Sequence, residues 1–136
     1  MPRCVPTLPR RRLLAAPAAL LLAPLAAQAW MARTFPANAL RGVINFSAPP
    51  QILLNGESAR LAPGARIRGT DNMMKLPGTL TGQRFVVNYT LEINSGTVLD
   101  VWLLRDDEAD KRPWPMTLEQ ARSWTFDAAA QTWTRP

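Results

Sequence analysis

The acidic side chains that could bind a metal ion are concentrated in one segment. Asp106, Asp107, Glu108 and Asp110 fall between positions 106 and 110, and carboxylate oxygens are ligands that calcium prefers. The segment lacks the alternating ligand positions and the central glycine of an EF-hand loop. A solvated loop or the first turn of a helix explains the cluster more simply, so we predict no metal site.

Two residue types that support common catalytic chemistry are scarce. The chain has no histidine and one cysteine, Cys4, which precedes a long apolar run. Disulfides, histidine-assisted serine catalysis and the usual zinc or copper sites all need these side chains. We therefore predict no catalytic residue, no cofactor and no enzymatic activity.

Asp100 is the one acidic residue on an otherwise apolar predicted strand. Three environments are open to it: an apolar site, solvent, or an arginine partner. Two carboxylates can together hydrolyse a glycoside, but no sequence pattern brings a second one to Asp100. A small carboxylate-based hydrolase is the most remote of the functional hypotheses.

Tryptophans provide the first candidate binding surface, because large aromatic side chains stack on ligands and anchor protein partners. Trp102 lies on an apolar strand and is assigned to the core. Trp114 lies between two prolines and is the best candidate for an exposed ring. We name Trp114 and Trp124 as a possible ligand or partner surface.

Arg66 and Arg68 complete this candidate surface, because alternation places both on one face of a short strand over residues 65–69. With Arg60 and Lys75 they could form a basic patch for anionic lipid head groups, phosphate or an acidic partner. The alternative is a charged strand edge that discourages aggregation between sheets.

The first 29 residues have the pattern of a secretory signal peptide. Four arginines precede an apolar run over residues 13–25, and Ala27-Gln28-Ala29 has the small-x-small form that signal peptidase accepts. The run is about 13 residues long, whereas a bilayer-spanning helix needs roughly 20. We predict cleavage after Ala29, with an uncleaved anchor or a start at Met31 as alternatives.

The predicted signal indicates export to a periplasm and sets the domain organisation. Pro9 precedes the arginine run, where a twin-arginine signal usually has serine or threonine, so the general secretion route is favoured. Residues 30–39 are predicted to be a flexible or extended segment. Residues 40–136 are predicted to be a single compact β-rich domain.

The basic composition gives little support for nucleic-acid binding. The chain has 16 Lys and Arg residues against 10 Asp and Glu residues, a net charge of +6. Removing residues 1–29 takes away four arginines and leaves 12 basic and 10 acidic residues, a net charge of +2. No basic stripe interleaved with aromatic residues remains, so we predict no nucleic-acid partner.

Residues 40–136 have a mainly β pattern. Residues 40–46 and 84–94 alternate between apolar and polar positions. Asn55-Gly56 lies between two short strand segments and predicts a type I′ hairpin turn. Residues 97–105 are apolar on both faces, which is typical of a central strand.

Shorter elements complete the predicted fold. Short strands are expected at residues 73–76 and 79–80. Phe126 and Trp133 are expected either to form a last short strand or to pack back on the domain. Thr117 and Gln120 have the spacing of a helix capping box, which predicts a helix over residues 117–124. The predicted fold class is mainly β: a small antiparallel sheet forming a barrel or sandwich, with one short C-terminal helix.

The leading functional hypothesis is a non-catalytic periplasmic module that binds another cell-envelope protein through a sheet edge or an aromatic surface. It follows from the missing catalytic and metal-ligating residues, the modest charge and the regular sheet pattern. The alternative is a module that binds glycan or peptidoglycan through exposed tryptophans.

Overall fold

The computed structural model describes Pro2 and residues 32–136. Cys4, Trp30 and the predicted cleavage point after Ala29 therefore lie outside the described residues, as does the rest of the predicted signal peptide apart from Pro2. Residues 32–136 form one compact unit, and all that follows concerns this unit.

The unit has eight strands, two short α-helices and a short 3₁₀ helix at Pro77–Leu80. The strands are β1 (Leu40–Ala48), β2 (Gln51–Leu54), β3 (Glu57–Arg68), β4 (Met74–Lys75), β5 (Arg84–Leu91), β6 (Val98–Leu103), β7 (Thr125–Asp127) and β8 (Thr132–Thr134). The helices are α1 (Asp106–Ala109) and α2 (Leu118–Ser123).

Five of these strands close into a β-barrel in the order β1–β2–β3–β6–β5, because β5 pairs back onto β1. All neighbours are antiparallel except β3 and β6, which are parallel. Strand β4 extends the sheet from β3, and β7 and β8 form a separate two-stranded sheet. The predicted mainly β fold is confirmed, and of the two predicted architectures the chain adopts the barrel.

The hairpin between β2 and β3 is confirmed and is also tied to β1. Asn55 and Gly56 have φ of 53° and 85°, the positive values that a type I′ turn requires at both central positions. The Asn55 amide donates to the Val43 carbonyl at 2.8 Å, and its side-chain oxygen accepts from the Val43 amide at 2.9 Å. Asn55 therefore shapes the turn and pairs with the neighbouring strand.

One local prediction was incomplete and another was wrong. Residues 65–68 form a strand as predicted, but they are the end of β3 rather than a separate element, and the pairing of β3 with β6 shifts register between Leu61 and Arg66. Residues 79–80 belong to the 3₁₀ helix rather than to a strand. Pro77 at the start of that helix has the fixed φ that a helical turn needs.

The barrel interior is the main hydrophobic core and confirms β6 as a central strand. Val87, Val98 and Val101 are fully buried there, and β6 pairs with β5 on one side and β3 on the other. Gly42 lies where a Cβ atom would come within 2.9 Å of the Tyr89 ring. The close approach of β1 to the Tyr89 ring therefore requires glycine.

A second, aromatic core lies on the outer side of β6. Phe35, Trp102, Trp114 and Trp133 are buried together there. The Phe35 ring meets Trp102 and Trp114 edge-on, with centroid distances of 5.6 and 5.9 Å, a geometry that favours aromatic pairs. Residues 32–39 thus form an arm that ends in a turn, where the Ala39 amide donates to the Pro36 carbonyl at 3.0 Å, and that packs between the barrel and the C-terminal segment.

Helix α2 begins after Thr117, whose side chain accepts a hydrogen bond from the Gln120 amide at 3.2 Å. The predicted helix and its N-cap are confirmed. The reciprocal bond of a capping box is not formed, because the Gln120 side chain accepts from the Met116 amide at 2.9 Å instead.

Candidate interaction surface

The tryptophans are mostly interior side chains. Trp114, the tryptophan predicted to be most exposed, is only 5% exposed, so this prediction of an accessible ring was wrong. Its indole N–H donates to the Ala39 carbonyl at 3.0 Å, and the Arg41 guanidinium lies over the ring at 5.1 Å. Trp124 is half-buried, with Arg135 over its ring at 5.3 Å.

A buried ion pair joins the arm to α1. As whole residues, Arg33 and Glu108 are 9% and 5% exposed. Arg33 Nε donates to Glu108 Oε2 at 2.8 Å. The remaining Arg33 donors reach Glu108 Oε1 and the carbonyls of Gly69 and Leu103. The guanidinium therefore fixes the arm to three separate parts of the chain.

Glu108 remains ionised in this position. Burial, the largest influence, opposes ionisation, but the hydrogen bond from Arg33, the Arg105 amide and the two guanidinium charges together lower the pKa of Glu108. Three of the acidic residues in this segment are exposed, as expected for the predicted helical turn. No cluster of metal-ligating side chains is found in the described part of the chain.

Arg41 makes a second connection to the same segment. Its guanidinium donates to the Asn88 side chain at 2.7 Å and to the Ala109 carbonyl at 3.0 Å. Desolvation by burial, then the charge of Arg112, lower the pKa of Arg41 to about 10, although the charge of Glu108 acts in the opposite direction. Arg33 and Arg41 thus hold the segment after β6 against the barrel.

The predicted basic patch divides into separate groups. Arg60 and Arg68 lie eight positions apart on β3, where Arg60 is opposite Gln51 of β2 and Arg68 is opposite Met74 of β4. Arg66 pairs with Asp100 at 3.0 Å, so an arginine partner is the environment that Asp100 adopts. Lys75 pairs with Asp71 at 3.6 Å.

Arg68 differs from these neighbours. It is half-buried and lies over the Trp102 ring at 6.0 Å. Within residues 32–136, no hydrogen-bond acceptor and no carboxylate contacts its guanidinium. Five N–H donors therefore remain available to a molecule that binds beside it.

Three exposed apolar side chains lie in or next to β4, and one of them, Met74, is opposite Arg68 in the register. Met73, Met74 and Leu76 are 63%, 57% and 74% exposed, and we call these three residues the β4 patch. Sequence reasoning predicted a short strand here but not its exposure. The sequence feature that could have indicated this exposure is a segment of apolar residues without the alternation of a half-buried strand.

The turn that carries the β4 patch is held by several hydrogen bonds. The Gly69 amide donates to the Met73 carbonyl at 2.8 Å, and the Met73 amide donates to the Asp71 side chain at 3.1 Å. Asn72 adopts a φ of 63° at the turn, and Arg105 donates to the Thr70 carbonyl at 3.3 Å. The apolar side chains are therefore presented on an ordered backbone.

A concave surface surrounds Ile93, which is 95% exposed. Two cavities of about 470 and 530 Å³ lie beside it and share Asn38, Leu91, Glu92 and Ile93 in their linings. Their remaining lining includes polar side chains, namely Thr90, Asn94, Asp100 and Arg122. We call this surface the Ile93 groove.

The Ile93 groove brings two carboxylates, Glu92 and Asp100, to one cavity. The hydrogen bond from the Ser95 side chain, then the amides of Asn94 and Ser95, lower the pKa of Glu92. Glu92 therefore has the character of an ionised turn-forming residue, which does not suit the general acid of a glycosidase.

Among the described residues, no helix is long and apolar enough to cross a membrane. Comparisons with protein-family models, curated proteins and solved structures find no match to this chain.

Proposed function

We propose that the chain is a non-catalytic, exported module that binds another cell-envelope protein through the β4 patch. The observation that carries the proposal is the group of three large apolar side chains, each more than half exposed, on an ordered turn. Clustered apolar exposure of this kind marks interaction sites in soluble proteins. Methionine suits such a site because its flexible side chain adapts to a partner.

The arrangement of the sheets also favours the β4 patch over the barrel strands and the tryptophans as the binding surface. Each barrel strand pairs on both sides, and closure removes the edges through which sheets associate. Trp102, Trp114 and Trp133 are buried, so they offer no aromatic surface. The sequence predicted that the partner binds through either a sheet edge or an aromatic surface, and binding through a sheet edge is the better supported.

Photo-crosslinking in the host tests the proposal. Benzoylphenylalanine at Met73 is expected to crosslink to one envelope protein. The paired substitution Met74→Ser/Leu76→Ser should lower the yield at least about tenfold, because two apolar contacts are lost. Met116→Ser/Leu118→Ser is the matched control, since Met116 and Leu118 are 50% and 42% exposed elsewhere, and should leave the yield unchanged. Equal yields from both paired variants would exclude the β4 patch.

The proposed export is tested separately by intact-mass measurement of the protein in periplasmic and membrane fractions. A periplasmic species that begins at Trp30 is expected. A full-length species in the membrane would instead indicate an uncleaved anchor, and a cytosolic species that begins at Met31 would indicate an intracellular protein.

The Ile93 groove favours glycan binding as a second candidate function. Amide and carboxylate side chains beside an exposed aliphatic residue can bind hydroxyl groups and the apolar faces of sugars. Titration of the labelled protein with soluble peptidoglycan fragments should shift the NMR signals of Asn38, Ile93 and Asn94. Saturating fragments that leave these signals in place would rule this candidate out.

A further inference from the structure

We infer that the partner adds an extended strand to the outer edge of β4 and directs a carboxylate at Arg68. The inference rests on the proposed function and specifies the chemistry of the partner. The bound segment is extended rather than helical, and it carries an acidic residue as well as apolar ones.

The hydrogen-bond pattern of β4 supports strand addition. In the β3–β4 pair, Lys75 lies opposite Ile67 and Met74 lies opposite Arg68, while the Met73 carbonyl accepts from the Gly69 amide. Because successive residues of a strand direct their amides to opposite sides, the Met74 amide and carbonyl point away from β3. No strand pairs with this edge within residues 32–136, so an incoming strand can bond to it.

Arg68 supports an acidic partner. Met74 and Arg68 are directly opposite in the register, so their side chains share one face of the sheet. An added strand would lie about 4.8 Å beyond β4 and therefore about 9.6 Å from β3, a separation that a glutamate of the partner and the long Arg68 side chain would span together. The Arg68 guanidinium lies over Trp102 and has no acceptor within the described residues, so a partner carboxylate would supply one.

Neighbouring charges restrict this carboxylate to Arg68. Arg66 is already paired with Asp100, and Lys75 with Asp71. A carboxylate near either of those pairs would meet a second carboxylate, whereas one at Arg68 would meet an uncompensated cation. The edge amide and the guanidinium therefore select for an extended acidic segment.

The register of crosslinks tests the strand geometry in the full-length protein expressed in its host. Benzoylphenylalanine placed singly at Met74 and at Leu76 should crosslink to partner residues two positions apart, because paired strands keep the same spacing. Crosslinks to a partner helix, or at unrelated positions, would overturn strand addition while leaving the proposed function intact. Absence of any protein crosslink from Met73, Met74 and Leu76 would overturn both.

Two pairs of variants, probed from Met73, test the edge amide and the charge. Met74→Pro removes both the outward amide and the Met74 side chain, whereas Met74→Ala removes the side chain alone, so the proline variant should lower the crosslink yield about tenfold further than the alanine variant. Arg68→Gln should lower the yield by a similar factor, and Arg66→Gln, the control for loss of positive charge, should not. Unchanged melting temperatures show that each variant is folded. Full yield from Arg68→Gln would overturn the acidic partner.

A membrane surface is the competing source of negative charge and apolar groups. Vesicles of phosphatidylglycerol, sedimented with the purified protein, distinguish the two. The inference expects no sedimentation with the vesicles. Sedimentation that is lost in Met74→Ser/Leu76→Ser would overturn the strand partner in favour of lipid.

Discussion

Replacing Glu108 with glutamine would leave the buried Arg33 guanidinium without a counter-charge. The two side chains are almost completely enclosed, at 5% and 6% exposure, so water cannot replace the lost carboxylate. Arg33 would keep its hydrogen bonds to the Gly69 and Leu103 carbonyls, and glutamine retains one acceptor oxygen. Glu108→Gln therefore isolates the effect of charge from that of side-chain size.

The expected cost is about 3 kcal/mol of unfolding free energy, the lower end of the range for breaking a buried pair at one partner. We choose the lower end because most of the Arg33 donors stay bonded. For a domain of this size, the loss corresponds to a fall of roughly 10–20 °C in melting temperature. Such a loss is a large fraction of the roughly 5–15 kcal/mol that stabilises a typical domain.

Thermal and urea unfolding, followed by circular dichroism, measure this loss. The double variant Arg33→Met/Glu108→Leu is the control, because replacing both charges with apolar side chains leaves neither unpaired and should recover much of the stability. A loss below about 1 kcal/mol in Glu108→Gln would refute the reasoning, since surface pairs reach that value.

The same ion pair predicts how stability depends on pH. The pKa of Glu108 is held below its ordinary value of 4.5, so the folded state favours the ionised carboxylate. This contribution is complete above the unfolded value and is lost as the pH falls through the lower, folded value. The difference in stability between the native protein and Glu108→Gln should therefore shrink in acid, and a difference independent of pH would contradict the pairing.

Two further substitutions test the barrel interior by thermal unfolding. Gly42→Ala should lower the free energy of unfolding by about 1–3 kcal/mol through overpacking against Tyr89. Gly78→Ala, with no atom within 4 Å of the added Cβ, is the control and should be nearly neutral. Equal losses from the two variants would refute the close approach of β1 to Tyr89. Val101→Asp should unfold the domain because it buries a charge. Ile93→Asp, at a position 95% exposed, is the control and should leave the domain folded. A folded Val101→Asp protein would refute the central position of β6.

The parts of the fold that sequence could predict are those specified by local patterns. Asn55-Gly56 specifies a turn through the backbone angles that it allows. The alternation of residues 84–94 predicts a strand, and one forms over Arg84–Leu91. Asn88 and Thr90 on its polar face are buried and Ile93 is exposed, so the half-buried pattern and the extension to residue 94 were wrong. The apolar faces of residues 97–105 predict a central strand, which is β6. Each signal lies within a dozen or so residues, so no knowledge of distant partners is needed.

The contacts of the arm and the candidate surface were less predictable because they depend on distant parts of the chain. Arg33 and Glu108 are separated by 75 positions, and no local pattern connects them. Trp114 was expected to be exposed because prolines flank it, yet the arm supplies the carbonyl that accepts its N–H. Arg68 was identified from alternation, but its available donors and the exposed edge of β4 followed only from the tertiary pairing.

The hydrogen bonds between the arm and the C-terminal segment have a consequence for the order of folding. The Phe35 amide donates to the Gln131 side chain at 2.7 Å, across 96 positions of the chain. Contacts of this sequence separation close late, because a long loop must be ordered before they form. During synthesis, the arm cannot reach its native position until almost the whole chain has been made. The docking of the arm and the closure of the aromatic core are therefore expected to be the last steps of folding, after the barrel strands have paired.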